Sequence, residues 1–203
     1  MAASTDTKEA LIDAFIELGS NKPLDKITIG EITDKAGVIR STFYNHFHDK
    51  YEVIEAVIRD RLLGRVDVLI ENGMLYETIV VIGRNILPNK EFYKNAGKLK
   101  GQNSFESIVE ECVVDIVMEF FMKNPEVHHA RNPWITPRRI AGFYAHIMTY
   151  IFMLWIEADM AVSPENMAEI YKYLEGKSLI DAFRDMGVDT EEWVWKQDKK
   201  IDM

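Results

Sequence analysis

Arg40, Ser41, Thr42, Tyr44, Asn45 and His46 each end in a hydrogen-bonding group, and no acid follows them until Asp49. A solvent-facing helix normally alternates Lys with Glu. This stretch carries one formal charge and no carboxylate. Such a surface suits a partner that offers donors and acceptors between two rows of negative charge. The base edges of a nucleic-acid groove, flanked by phosphates, have that chemistry. Thr28, Tyr44 and Lys50 sit at helix ends or on the flank, where phosphates are natural partners because helix N-termini present free N–H groups.

Positioning these groups requires a frame, and the neighbouring residues supply one. Thr28-Ile29-Gly30-Glu31 is a capping box that opens a short helix through Ala36, with Ile29, Ile32 and Ala36 on one face. Gly37 breaks it. Residues 39–47 follow as a second short helix, with Phe43 and Phe47 four apart, and two short helices meeting at a tight Gly turn make a helix-turn-helix. Ala36 is small where the helices approach. Val38, Phe43 and Phe47 fill the space beneath, together with Ile32 and an amphipathic helix over 5–20 that carries Leu11, Ala14, Phe15 and Leu18. Asp49 to Glu52 form a second capping box that starts a long helix running past Leu62.

Further along, the periodicity predicts helices at 74–85, 88–96, 103–123, 136–161 and 164–186, and no strand alternation persists. Asn103 with Glu106 caps the third of the later run; Thr136-Pro137 and Ser163-Pro164 each pair an N-cap with a Pro at the first helical position. The composition of Gly64 to Gly73 is not that of a flexible linker, so the two parts are expected to pack together. The fold class is therefore all-α: a three-helix helix-turn-helix module joined by a long helix to a larger helical domain.

Residues 5–65 resemble the N-terminal DNA-binding module of the TetR family of bacterial transcriptional regulators. The resemblance rests on the helix-1 stripe, the run Ile27-Thr28-Ile29-Gly30-Glu31-Ile32-Thr33, Ala36-Gly37-Val38, and Ser41 to Phe47 followed by Asp49-Lys50. It implies that Arg40, Ser41, Thr42, Tyr44 and Asn45 face the groove, and that Thr28, His46 and Lys50 touch phosphate. Three positions depart from the pattern. Ile39 stands where a small N-cap is common, Asn45 replaces a frequent aromatic and could read adenine, and Tyr51 replaces a common acid. The implied division is a DNA-binding domain over 1–65 and an effector-binding and dimerisation domain over 66–203.

Composition limits the alternatives. The chain has 203 residues, 47% hydrophobic and 28% charged, an ordinary globular balance. One cysteine, Cys112, allows neither an internal disulfide nor a cysteine zinc cluster, which suits a reducing compartment. The longest apolar-rich stretch, Phe143 to Ile156, is interrupted by His146, Thr149 and Tyr150 and is expected to be too short for a bilayer; the N-terminus lacks the pattern of a signal peptide. A cytoplasmic location is the expectation. Gly176-Lys177-Ser178 lacks the upstream glycine of a phosphate loop and reads as a helix break with a new cap at Ser178. His128-His129 has no accompanying ligand spacing, and nothing resembles a catalytic triad or carboxylate dyad. No cofactor, metal site or enzymatic activity is expected.

The net charge of −9 argues superficially against DNA, yet residues 1–65 hold nine Lys+Arg and eleven acids (−2) while the rest hold fifteen and twenty-two (−7). One module makes few contacts; two on a two-fold axis, about 34 Å apart, match a palindrome. The family pairs its last two long helices into a four-helix bundle, so the segments near 136–161 and 164–186 are the expected homodimer surface. A small-molecule effector, of a class the residues do not specify, would be enclosed by Phe105, Cys112, Ile116, Phe120, His146, Tyr150 and Trp155. The expectation is a ligand-responsive repressor on an operator. The alternatives are a regulator without a small effector, controlled by a protein partner or acting as an activator, and a small helical enzyme with a borrowed module.

Overall fold

In the computed structural model, which describes residues 2–64, 66–123 and 132–189, no strand occurs among the described residues. His128-His129 and the Trp193-Val194-Trp195 tail lie outside them. Among the described residues eleven α-helices run in order: α1 Ala2–Asn21, α2 Ile29–Ala36, α3 Arg40–Tyr44, α4 Lys50–Ala56, α5 Asp67–Glu71, α6 Leu75–Ile86, α7 Lys90–Ala96, α8 Phe105–Lys123, α9 Pro137–Glu157, α10 Pro164–Glu175 and α11 Leu179–Asp185. A π-helical stretch, Val57–Leu62, continues α4.

The first four helices enclose Leu11, Phe15, Ile32, Phe43, Phe47 and Ile54, all buried. Their core does not end there. One cluster of buried apolar residues runs from Leu11 to Ala168 across the 65/66 boundary. The seam is built from α1 and α7. Phe15 meets Phe92 edge-on at 5.9 Å. Gly19 stands where any Cβ would come within 2.7 Å of the Phe92 ring, so only glycine permits this approach. Asn95 Nδ2 donates to the Gly19 carbonyl at 2.9 Å, satisfying an orphan acceptor at the end of α1. Arg59 adds a charged tie from the π-helical stretch to Asp115 of α8, at 2.6 Å.

In the larger part, α8 packs on α9 and α6 packs on α10. The second contact is close because Gly83 faces Pro164, whose Cβ would lie 2.7 Å from an added Cβ.

Several expectations need correction. The helix predicted over 39–47 has only five residues, because Asn45 and His46 are already in the turn that follows. Residues 67–71 form α5 inside the stretch between the two parts. Ser104, not Asn103, caps α8, its Oγ accepting from Ser107 N. The span 164–186 is two helices, and Ser178 caps the second through a full capping box with Asp181. Glu52 reaches the N–H of His48 rather than of Asp49. The helix over 136–161 stops at Glu157, before Asp159 and Met160 with φ of 57° and 52°. Its 21 residues are long and apolar enough to cross a bilayer by length and composition, contrary to expectation, but 44% of the most apolar window is buried within the molecule.

Candidate nucleic-acid interface

The short helices on either side of α3 are held by side-chain caps, Thr28 on α2 and Asp49 on α4. Thr28 Oγ1 accepts from Glu31 N at 3.3 Å, and Glu31 Oε2 accepts the Thr28 N–H at 2.9 Å. The other carboxylate oxygen of Glu31 takes Lys22 Nζ. Lys22 first, and then the bonds from Thr28, hold the Glu31 carboxyl down at about 2. At the other end, Gly37 adopts φ 70° and its N–H returns to the Asp34 and Thr33 carbonyls, so the chain reverses within one residue. Ile39 offers no side-chain cap, and α3 begins on backbone geometry alone.

On this frame Arg40, Ser41, Tyr44 and Asn45 are exposed, while Thr42 and His46 are half-buried. Tyr44 is 56% exposed although it packs edge-on against the buried Phe43. Arg40 does not project freely. Its Nη2 lies 3.1 Å from where a Cβ on Gly30 would stand, and Thr28 Oγ1 is 3.8 Å from the same point. The structure thus brings Thr28 and Arg40 to one edge, over the first turn of α2. Gly30 makes the room. The signal for it was present in the sequence, a glycine in a helical first turn where no turn requires one.

Lys50 is engaged within the fold. Its ammonium donates to the carbonyls of Leu24, Asp25 and Ile27 at 3.1, 2.6 and 3.1 Å. An ammonium has three N–H donors, and all three are used. Burial against this loop pushes its pKa down. In this structure Lys50 therefore holds the loop that leads into α2, with all three donors engaged.

The seven residues predicted around an effector do not converge. Phe105 and Cys112 are buried in the core, where burial pushes the thiol up to about 11. His146 and Tyr150 are exposed, His146 Nδ1 lying 3.2 Å from Glu110. Ile116 and Phe120 line a shallow groove with Glu71 and Lys123. Only Trp155 lines the apolar cavity of about 50 Å³ that lies between α6, α8, α9, α10 and the end of the π-helical stretch. The remaining walls, among them Leu62, Leu63, Val109, Val113, Phe152 and Thr149, come from segments that periodicity alone cannot bring together. Among the described residues no three His, Cys, Asp or Glu side chains gather as they would around a metal ion.

Residues 8–57 match the family model described as bacterial regulatory proteins of the tetR family, and residues 74–174 match one described as a transcriptional regulator C-terminal region. The chain belongs to the TetR family. Its relatives include the uncharacterized HTH-type transcriptional regulator YxbF of Bacillus subtilis, 27% identical over 177 residues, which cover 83% of this chain and 43% of YxbF. SrpR of Pseudomonas putida, an HTH-type transcriptional regulator, is 37% identical over 60 residues, 30% of this chain and 28% of SrpR. The chain thus spans less than half the length of these two relatives. Among solved structures, the dihydroxyacetone kinase operon activator DhaS aligns with a TM-score of 0.54 at 18% identity, over 83% of this chain and 93% of DhaS. The TetR-family repressor FadR of Thermus thermophilus, solved with lauroyl-CoA, aligns at 0.53 and 17%, over 85% and 95%. At these identities the two structures show the TetR-type fold and nothing finer.

Proposed function

We propose that this TetR-family chain is a ligand-responsive homodimeric repressor that binds a palindromic operator in double-stranded DNA. The observation that carries the reading is the exposed, acid-free face of Arg40, Ser41, Tyr44 and Asn45, held on a frame stapled from both ends. Arg40 and Asn45 offer the donors and acceptors that read guanine and adenine in the major groove. Thr28, Thr42 and His46 flank them toward the backbone, and Lys50 acts one step removed, as a positioning residue.

Pairing through α9 and α10 supplies the second module. On α9, Phe143, Ile147, Tyr150 and Leu154 are exposed on one face, and on α10 Ile170, Tyr173 and Leu174 are exposed as well. A soluble chain covers such an apolar face, and a two-fold axis covers it with itself. An effector entering the cavity would press on Leu62 and Leu63, at the end of the segment that starts beside α3, and would shift the spacing of the paired reading helices by population shift.

A gel-shift titration against the DNA upstream of the gene tests the reading. Arg40→Ala and Tyr44→Ala should each weaken binding by about 1–3 kcal/mol, or up to roughly a hundredfold. Parent-like binding by both variants would remove α3 from the interface.

A further inference from the structure

Three polar side chains are almost fully buried among the described residues: Thr33, Thr78 and Thr149, each 2% exposed. A buried helical threonine ordinarily satisfies its hydroxyl by donating to the carbonyl one turn back. Thr33 does so, to Ile29 and Gly30 at 3.0 and 2.9 Å, and Thr78 does so to Met74 at 2.8 Å. Thr149 Oγ1 has no partner. It is also the one of the three that lines the apolar cavity. The other polar groups there are engaged. Trp155 Nε1 donates to the Val162 carbonyl at 3.0 Å, and Tyr171 Oη donates to the Met148 carbonyl at 2.5 Å. Tyr93, whose buried hydroxyl also lacks a partner, does not line the cavity.

Leaving a buried hydroxyl unpaired destabilises the unliganded fold. Water is a poor remedy, because a buried water wants two to four polar partners and these walls are apolar. We infer that Thr149 is the hydrogen-bonding anchor of the effector site, and that the site takes a compact, uncharged, mostly apolar molecule with a single polar group. No charged side chain lines the cavity, so an ionised ligand would be desolvated without compensation. The hydroxyl can donate or accept, so either a carbonyl or a hydroxyl on the ligand meets it. This assignment rests on the ligand-responsive reading above and adds the chemistry of the ligand to it.

Phenol and toluene differ by one polar group at nearly constant shape, and serve as probes for the full-length protein. Calorimetric titration should show phenol binding about fivefold tighter than toluene, the worth of one neutral hydrogen bond. In Thr149→Val that preference should vanish while toluene binding persists. Without any probe, Thr149→Val should raise Tm by about 2–4 °C, whereas Thr33→Val, which removes a satisfied hydroxyl, should lower it. A lowered Tm for Thr149→Val, or equal affinity for phenol and toluene in the parent, would overturn the assignment. Operator release is scored separately: phenol binding at Thr149 without release would sink the ligand-responsive reading and leave the anchor standing.

Discussion

Two exposed faces of this molecule depart from an ordinary solvent surface, and in opposite ways. That of α3 is polar without acids; that of α9 is apolar without charges, from Phe143 to Leu154. The first has groups that water alone satisfies and that a base edge satisfies with direction. The second has groups that water does not satisfy at all. Side-chain chemistry therefore distinguishes the partners: a hydrogen-bonding, anionic one for α3 and a second apolar surface for α9. In the function proposed above the two faces are coupled although they share no residue, because a palindrome would demand two copies of α3 and pairing through α9 would supply the second copy.

Breaking the apolar face gives the largest expected effect. Ile147→Glu should leave the protomer folded by circular dichroism and monomeric by sedimentation. Operator affinity should then fall about 100-fold or more, since the avidity of a linked pair is lost. An intact dimer with a charge at that position would move the pairing surface elsewhere. A smaller effect sharpens the polar side. Lys50→Met would leave the Leu24, Asp25 and Ile27 carbonyls without their donor, at a stability cost of about 1–3 kcal/mol in urea unfolding. The salt dependence of operator binding should keep its slope, whereas loss of a true phosphate contact would reduce that slope by about 1.

The smallest effect concerns the cap of α2. The Glu31 carboxyl titrates at about 2 in the fold and near the ordinary carboxylate value, about 4.3, in the unfolded chain. Its contribution is therefore complete above the unfolded value and is lost as pH falls toward 2. The Tm gap between parent and Glu31→Gln should be widest near pH 6 and should close on acidification. A constant gap would mean that the Lys22 and Thr28 bonds do not depend on the charge.

What could be read from the residues follows from how local each feature is. The capping box at Thr28, the turn at Gly37 and the four-residue spacing of Phe43 and Phe47 are short-range, and all three appear where expected. The length of α3 was not legible, since nothing in its composition ends it early. The engagement of Lys50 was not legible because its acceptors lie more than twenty residues upstream. The predicted ligand set failed to converge for a related reason. Periodicity gives the stripe Phe105, Cys112, Ile116 on α8 but not which neighbour covers it, and the cavity opens beside Val109 and Val113 instead. The proposed dimer, acidic at twice −9, should also bind scrambled DNA weakly, so that discrimination would rest on base contacts.

The contact between Gly19 and Phe92 carries a consequence for engineering. A reading head that met its body only through a linker could be cut out and grafted onto another regulator. Here the end of α1 is seated against the Phe92 ring, with Asn95 holding its last turn. The head is not a portable cassette: a chimaera keeps its shape only if the recipient body brings an aromatic ring and an amide to those two places, or if α7 travels with the head.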